Sequence, residues 1–434
     1  MRKIGRFIFI FCLNLGVVQA AQNAPPPSPR LTALQASLER HDPGALGKFW
    51  AEIDQEHTPM VEPILGDARD QLVTFLIRAD PSDESLTVRL GADFPMRTAN
   101  RSDPYQRLGD SNVWFTSYVL PKDAVIAYRL RVPQGLTRSP NSVVQFNFDG
   151  VQLEHFLDPL NPRKFPPGDA HVDAPLSYYL GPDAPQNPYL KPVQPSRAGT
   201  VQEFEVASAA LKGKRKVSVY MPAGEKVSAL PLLLLFDAGT YLTDLSTRVM
   251  LDNMIDQHVI PAVLVAFVES GEHRNEDLAP NPDYQKFIVT DLMPWLQAHF
   301  NISRDRRQHI VGGLSLGGLA AAYTAFSHPE LFANVLSQSG SFWWSDDYLS
   351  VALPSSNAGW MVRQFAEAPQ KQIRFYCSVG VWEGAGMLSN TRTLRSVLLG
   401  KGYELTYREI TAGHNGANFQ ATFPGGMTAL LGKR

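Results

Sequence analysis

One ten-residue stretch restricts the fold more than any other: GGLSLGGLAA, residues 312–321. An apolar β-like run, RQHIV, leads into it, and the helix-like LGGLAAAYTAFSHP leads out. A strand that turns at once into a helix brings backbone segments too close for side chains, so the residues flanking the apex must be small. The apex residue is Ser315, and its hydroxyl is pushed into the open. Gly313-Leu314-Ser315-Leu316-Gly317 therefore reads as the G-x-S-x-G nucleophile elbow of a doubly covered α/β sheet.

The surrounding pattern agrees. After about residue 200, strand-like runs alternate with helix-like ones: RKVSVYMP, LPLLLLFD, PAVLVAFV, the elbow strand, IRFYCSVG and YELTYREI. DYQKFIVTDLMPWLQAHF reads as one of the helices between them. Near-continuous apolar strands indicate a mostly parallel sheet buried on both faces. Between about 71 and 150 the runs are short, β-branched and aromatic, separated by turn residues, as in a small antiparallel β-sandwich. Residues 31–52 read as one short helix. Residues 159–195 hold ten of the 33 prolines and read as a linker without regular structure.

The expected architecture is an α/β-hydrolase catalytic domain, residues 196–434, behind an N-terminal β-sandwich with its Pro-rich linker, residues 21–195. Residues 1–20 read as a secretory signal. Arg2, Lys3 and Arg6 precede FIFIFCLNLGVV, and small residues at Val18 and Ala20 place cleavage after Ala20. That expectation makes the mature chain periplasmic or secreted, with no membrane insertion after cleavage. Cys377 is then the one remaining cysteine and reads as a buried small hydrophobe. A net charge of −2 gives no electrostatic case for nucleic acid.

A serine hydroxyl needs a base, and the base needs an orienting carboxylate. In this architecture the chain order is Ser, acid, His. His414, in TAGHNGANF beyond the last strand, is the base. His328, the other histidine after the elbow, reads as a helix-end residue. Glu383, just after the penultimate strand, is the favoured acid; Asp346, Asp347, Glu330, Glu367, Glu404 and Glu409 compete with it. The oxyanion hole takes the amide of Leu316 and a second amide from AGTYL, at Gly239 or Thr240.

Several segments together resemble the enterochelin (enterobactin) esterase family. SQSGSFWW (337–344), RNEDLAPNPDY followed by DLMPWL, LLLLFDAGTY, SVGVWE with NTRTLRSVLLGKGY, and upstream DPLNPRKF and GPDAPQNPY all match its pattern. Asp277 stands where the family has Glu, and the base segment departs from Gly-Gly-His-Asp-x-x-x-Trp. The resemblance implies a serine esterase that opens ferric or iron-free tricatecholate trilactones, with no cofactor and no resident metal. It supports Glu383 as acid. A trianionic substrate calls for cations and aromatic faces: Arg274 for the anion, and Tyr241, Trp343 and Trp344 as pocket walls. Two other readings fit the same residues. One is a feruloyl- or carbohydrate-type esterase with an N-terminal binding module; the other is a non-catalytic siderophore-binding protein.

Overall fold

The computed structural model describes residues 25–79, 89–92, 94–95, 102–133, 143–146, 152–166, 176–224, 229–270, 273–345 and 359–432. The leader read in residues 1–20 lies outside these. Among the described residues, no helix is long and apolar enough to cross a membrane.

The N-terminal half opens with two helices where the sequence suggested one: α1 (Pro29–Glu39) and α2 (Ala45–Glu56). Ser28 caps α1 by accepting the Leu31 amide. Gly44, at φ 79°, interrupts the helical run before α2. Among the described residues these strands follow: β1 (Met60–Pro63), β2 (Asp70–Arg78), β3 (Arg89–Ala92), β4 (Ser102–Pro104), β5 (Gln106–Arg107), β6 (Val113–Pro121), β7 (Val125–Pro133), β8 (Val143–Phe146), β9 (Gln152–Phe156), β10 (Lys164–Phe165) and β11 (Leu176–Leu180). They form two antiparallel sheets, β1-β2-β6-β5 and β10-β11-β7-β3-β4, with β9 also on β7 and β8 on β9. Val73, Phe75, Tyr118 and Leu120 of the first sheet share one buried cluster with Leu90, Ile126, Tyr128 and Tyr179 of the second. That is sandwich packing. The Pro-rich stretch is not free of regular structure. β11 lies inside it and pairs with β7 over Ser177–Leu180, because its own five residues contain no proline.

Among the described residues, the C-terminal half is built on one eight-stranded sheet. Its strands are β12 (Thr200–Ser208), β13 (Gly213–Met221), β14 (Leu232–Phe236), β15 (Leu264–Val268), β16 (His309–Leu314), β17 (Asn334–Gln338), β18 (Arg374–Gly380) and β19 (Glu404–Ile410), in the order β12-β13-β15-β14-β16-β17-β18-β19. β13 pairs antiparallel with both β12 and β15, and the six strands β14 to β19 pair parallel with one another. β14, β15, β16 and β17 are buried at every position, which accounts for their unbroken apolar runs.

The described helices of this half are α3 (Thr247–Asp256), α4 (Arg274–Leu278), α5 (Pro282–Lys286), α6 (Met293–His299), α7 (Leu316–Ser327), α8 (Trp360–Glu367), α9 (Ala385–Gly400) and α10 (Gly416–Leu431). α5 and α6 are the single helix read from the sequence, joined through a wide turn at Phe287–Leu292. Residues of α3 and α10 cover one face of the sheet, and residues of α4 to α9 cover the other. Cys377, in β18, is buried, and burial pushes its thiol up to about 12. It packs as a small hydrophobe, as expected.

Candidate active site

Ser315 sits between β16 and α7 at φ 55° and ψ −122°. A non-glycine residue at positive φ carries about 1–3 kcal/mol of local strain, which the flanking structure must hold in place. The glycines explain how it does so. A Cβ on Gly313 would lie 2.5 Å from the carbonyl carbon of Gly317, and one on Gly317 would lie 2.7 Å from Asp237 Oδ2. Side chains at either position would force the elbow open.

Glu383 and His414 meet as the sequence suggested. His414 Nδ1 and Glu383 Oε2 are 2.9 Å apart, with the carboxylate fully buried and the imidazole 38 % exposed. Two hydrogen-bond donors not anticipated from the sequence fix the acid. Glu383 Oε1 accepts from Ser339 Oγ at 2.5 Å and from Asn418 Nδ2 at 2.8 Å; it also accepts from the Gly380 amide at 2.6 Å. Asn418 donates as well to Gly413 O, beside the base, at 2.9 Å. Asn415 caps α10 by accepting the Asn418 amide. Asn415, which stands where the family pattern has Asp, therefore caps the helix, and Asn418, three residues on, holds the acid. Gly380 matters sterically too: a Cβ there would lie 2.3 Å from Ala412 O.

Residues 338–341 tie this pair to the nucleophile. Gln338 O accepts the Ser315 amide at 2.9 Å, Ser339 holds Glu383, and Ser341 Oγ is 3.4 Å from Ser315 Oγ. Among the described residues, Ser341 is the side-chain hydrogen-bond partner of the Ser315 hydroxyl, and no bond joins it to His414. Hydrogen bonds between base and nucleophile are commonly long before substrate binds and tighten afterwards. His328 caps the end of α7 and pairs with Glu330 at 3.1 Å, the helix-end role expected of it.

Leu316 opens α7, where the first amides have no partner within the helix. Across from it, Asp237 ends the β14 segment at φ 61°, and the first bonded amide of the following turn is Tyr241 N to Asp237 O. The amides of Gly239 and Thr240 precede that bond, together with that of Ala238.

The expected binding residues fare unevenly. Tyr241 is not a pocket wall. It is fully buried, donates its hydroxyl to Gln338 Oε1 at 2.8 Å and packs against Phe423, bracing the strand ends below the elbow. Trp344 is half-buried and packs edge-on against Trp360 of α8, centroids 6.0 Å apart. Trp343 is half-buried, two residues from Ser341. Arg274 already faces a carboxylate: Nε and Nη2 hold Asp237 Oδ1 and Oδ2 at 2.5 and 2.9 Å. Its charge, expected to be free for a substrate anion, is largely matched there.

The Arg274–Asp237 pair packs against Gly317 and leads to a testable result. Burial holds the Asp237 carboxyl above its usual range, and Arg274 opposes that rise. Removing one partner of a buried pair costs about 3–5 kcal/mol. Arg274 is 36 % exposed, so solvent screening reduces the expected loss for Arg274→Ala to about 1–3 kcal/mol. A carboxyl with a raised folded-state pKa favours folding in acid, and that contribution disappears as pH rises through the folded pKa. Thermal melts of Arg274→Ala should therefore show a larger deficit at about pH 8 than at about pH 5. Equal deficits at both would place the loss elsewhere.

The fold and this site define an α/β-hydrolase with an elbow serine and a Glu–His pair, the equipment of a serine esterase. Residues 208–430 match the Esterase family model, and residues 72–190 match the model of the enterochelin esterase N-terminal domain. The chain belongs to the enterochelin esterase family. It is 26% identical over 396 residues to the iron(III) salmochelin esterase of Escherichia coli O6:H1, covering 89% of this chain and 94% of that protein. It is 26% identical over 352 residues to the iron(III) enterobactin esterase of Yersinia enterocolitica, covering 76% and 94%. Against the crystal structure of ferric enterobactin esterase from Salmonella typhimurium the TM-score is 0.71 at 21% identity, covering 87% of this chain and 98% of that one. The Shigella flexneri enterobactin esterase solved with 2,3-dihydroxy-N-benzoyl-serine gives 0.68 at 21%, covering 88% and 97%.

Proposed function

We propose that this protein hydrolyses the trilactone esters of enterobactin-type tricatecholate siderophores. In this reading Ser315 is the nucleophile, His414 the base and Glu383 its orienting acid. Leu316 and an amide among Ala238, Gly239 and Thr240 stabilise the oxyanion. The observation that carries the chemistry is the buried Glu383 carboxylate held against His414 and joined through residues 338–341 to Ser315. His414 takes the Ser315 proton as Oγ attacks the lactone carbonyl. It returns that proton to the departing serine hydroxyl of the substrate. Water then releases the acyl group by the same route in reverse.

The substrate class rests on the relatives, which are iron(III) salmochelin and enterobactin esterases. The chemistry supports it. A trilactone holds three catechol arms at high effective concentration around iron, and cutting one ester releases that constraint. Iron enters as part of the substrate. The test is the relative kcat/KM for ferric enterobactin and for a feruloylated sugar. A preference for the siderophore is expected, and a preference for the feruloyl ester would replace this reading.

We also propose export, on the strength of the leader in residues 1–20. Mass spectrometry of a periplasmic fraction should find the mature chain beginning at Ala21. An intact leader on a cytoplasmic protein would overturn the proposal.

A further inference from the structure

The loops that carry Glu383 and His414 do not stand on the catalytic domain alone. Trp382, immediately before the acid, packs into the core of the N-terminal sandwich, its ring 6.0 Å from that of Phe94. Its amide donates to Ala412 O, so the same residue touches the base loop. On the base side, the Val125 amide, at the start of β7, donates to Thr411 O at 2.8 Å, and Val125 and Ala412 form a parallel bridge. The Thr411 hydroxyl reaches Asp123 at 3.0 Å. Phe165 of β10 lies so close to Gly416 that a Cβ there would sit 2.2 Å from its ring. Val125 and Phe165 share a buried cluster with Ala412, Ala417 and Phe419. Phe419 in turn meets the His414 ring edge-on, centroids 5.3 Å apart.

Both loops thus touch the sandwich directly, within three residues of the groups they carry. The elbow, which carries Ser315, is held by its own glycines and by the sheet. We infer that the N-terminal sandwich is a working part of the catalytic apparatus, in which Trp382 and Phe165 are positioning residues that keep Glu383 and His414 in register with Ser315. This inference rests on the triad reading above. It concerns proton transfer rather than siderophore binding, so it applies to any ester. Neither residue needs to touch substrate. A misplacement on the order of 1 Å in such a pair can cost about a hundredfold in rate.

The test uses the full chain and p-nitrophenyl acetate, a small neutral ester, with active sites titrated by a fluorophosphonate so that rates refer to folded enzyme. Trp382→Ala should lower kcat by about 10- to 100-fold, with KM changed less than about threefold. Trp382→Phe, which keeps an aromatic ring against Phe94, should recover most of the loss. The acidic limb of the kcat–pH profile should move in Trp382→Ala and return in Trp382→Phe. Phe165→Leu, a milder change in the other domain, should lower kcat in the same direction. It keeps the proposal testable if Trp382→Ala does not fold. A lowered melting temperature with unchanged kcat and pH profile in Trp382→Ala, or in Phe165→Leu if the former fails to fold, would make the contact merely structural and overturn the inference. A wild-type protein unreactive toward both ester and fluorophosphonate would instead overturn the triad reading on which it stands.

Discussion

Ser315→Ala should lower kcat toward any ester by at least about a thousandfold and leave the fold intact. The covalent route depends on the one hydroxyl that the elbow presents, held at φ 55° between β16 and α7. Alanine accepts that backbone no worse than serine, so the melting temperature should barely move. The oxyanion amides and the substrate contacts survive, so binding should survive with them. His414→Ala should be equally damaging. Because the triad acts as a unit, the double variant Ser315→Ala/His414→Ala should be little worse than either single one. Losses that multiplied would mean that the two residues act in separate steps.

Glu383→Gln should lower kcat by at least about a hundredfold, less than Ser315→Ala. The carboxylate accepts on both oxygens: from Ser339, Asn418 and the Gly380 amide on Oε1, and from His414 Nδ1 on Oε2. A glutamine keeps the Oε1 bonds if its oxygen stays there. Its amide group then faces His414 Nδ1 as a donor. The imidazole must turn to the tautomer that accepts at Nδ1, which places its proton on Nε2, where the base is needed. The variant should fold normally and still react slowly. KM should stay near its wild-type value, since the acid touches no substrate. A neutral outcome would show that another carboxylate orients His414, or that none does.

Much of this site was legible because its chemistry is local in sequence. The glycines around Ser315 are dictated by a turn only five residues long. Glu383 and His414 each follow a strand that ends at the same edge of the sheet, and that edge is where ligands meet such folds. What was hidden depends on contacts closed only by the fold. Nothing in SQSG or HNGANF announces that Ser339 and Asn418 converge on one carboxylate oxygen. Tyr241 reads as a pocket residue by its place in a loop, yet the wide turn at Thr240–Asp244 rotates it inward onto Gln338. Arg274 reads as a free cation because Asp237 lies 37 residues away in sequence. The sandwich was visible as a separate domain, but its grip on the acid and base loops was not. Trp382, Val125 and Phe165 are ordinary apolar residues in their own segments.

Mass spectrometry of the products formed from ferric enterobactin by the wild-type protein and by Ser315→Ala tests substrate and nucleophile together. The wild type should yield ring-opened catecholate products, each carrying one added water per ester cut, and the variant should leave the trilactone intact over the same period. Intact trilactone after prolonged incubation with a wild-type protein whose Ser315 still reacts with a fluorophosphonate would contradict the substrate. Equal ring opening by both proteins would contradict the nucleophile.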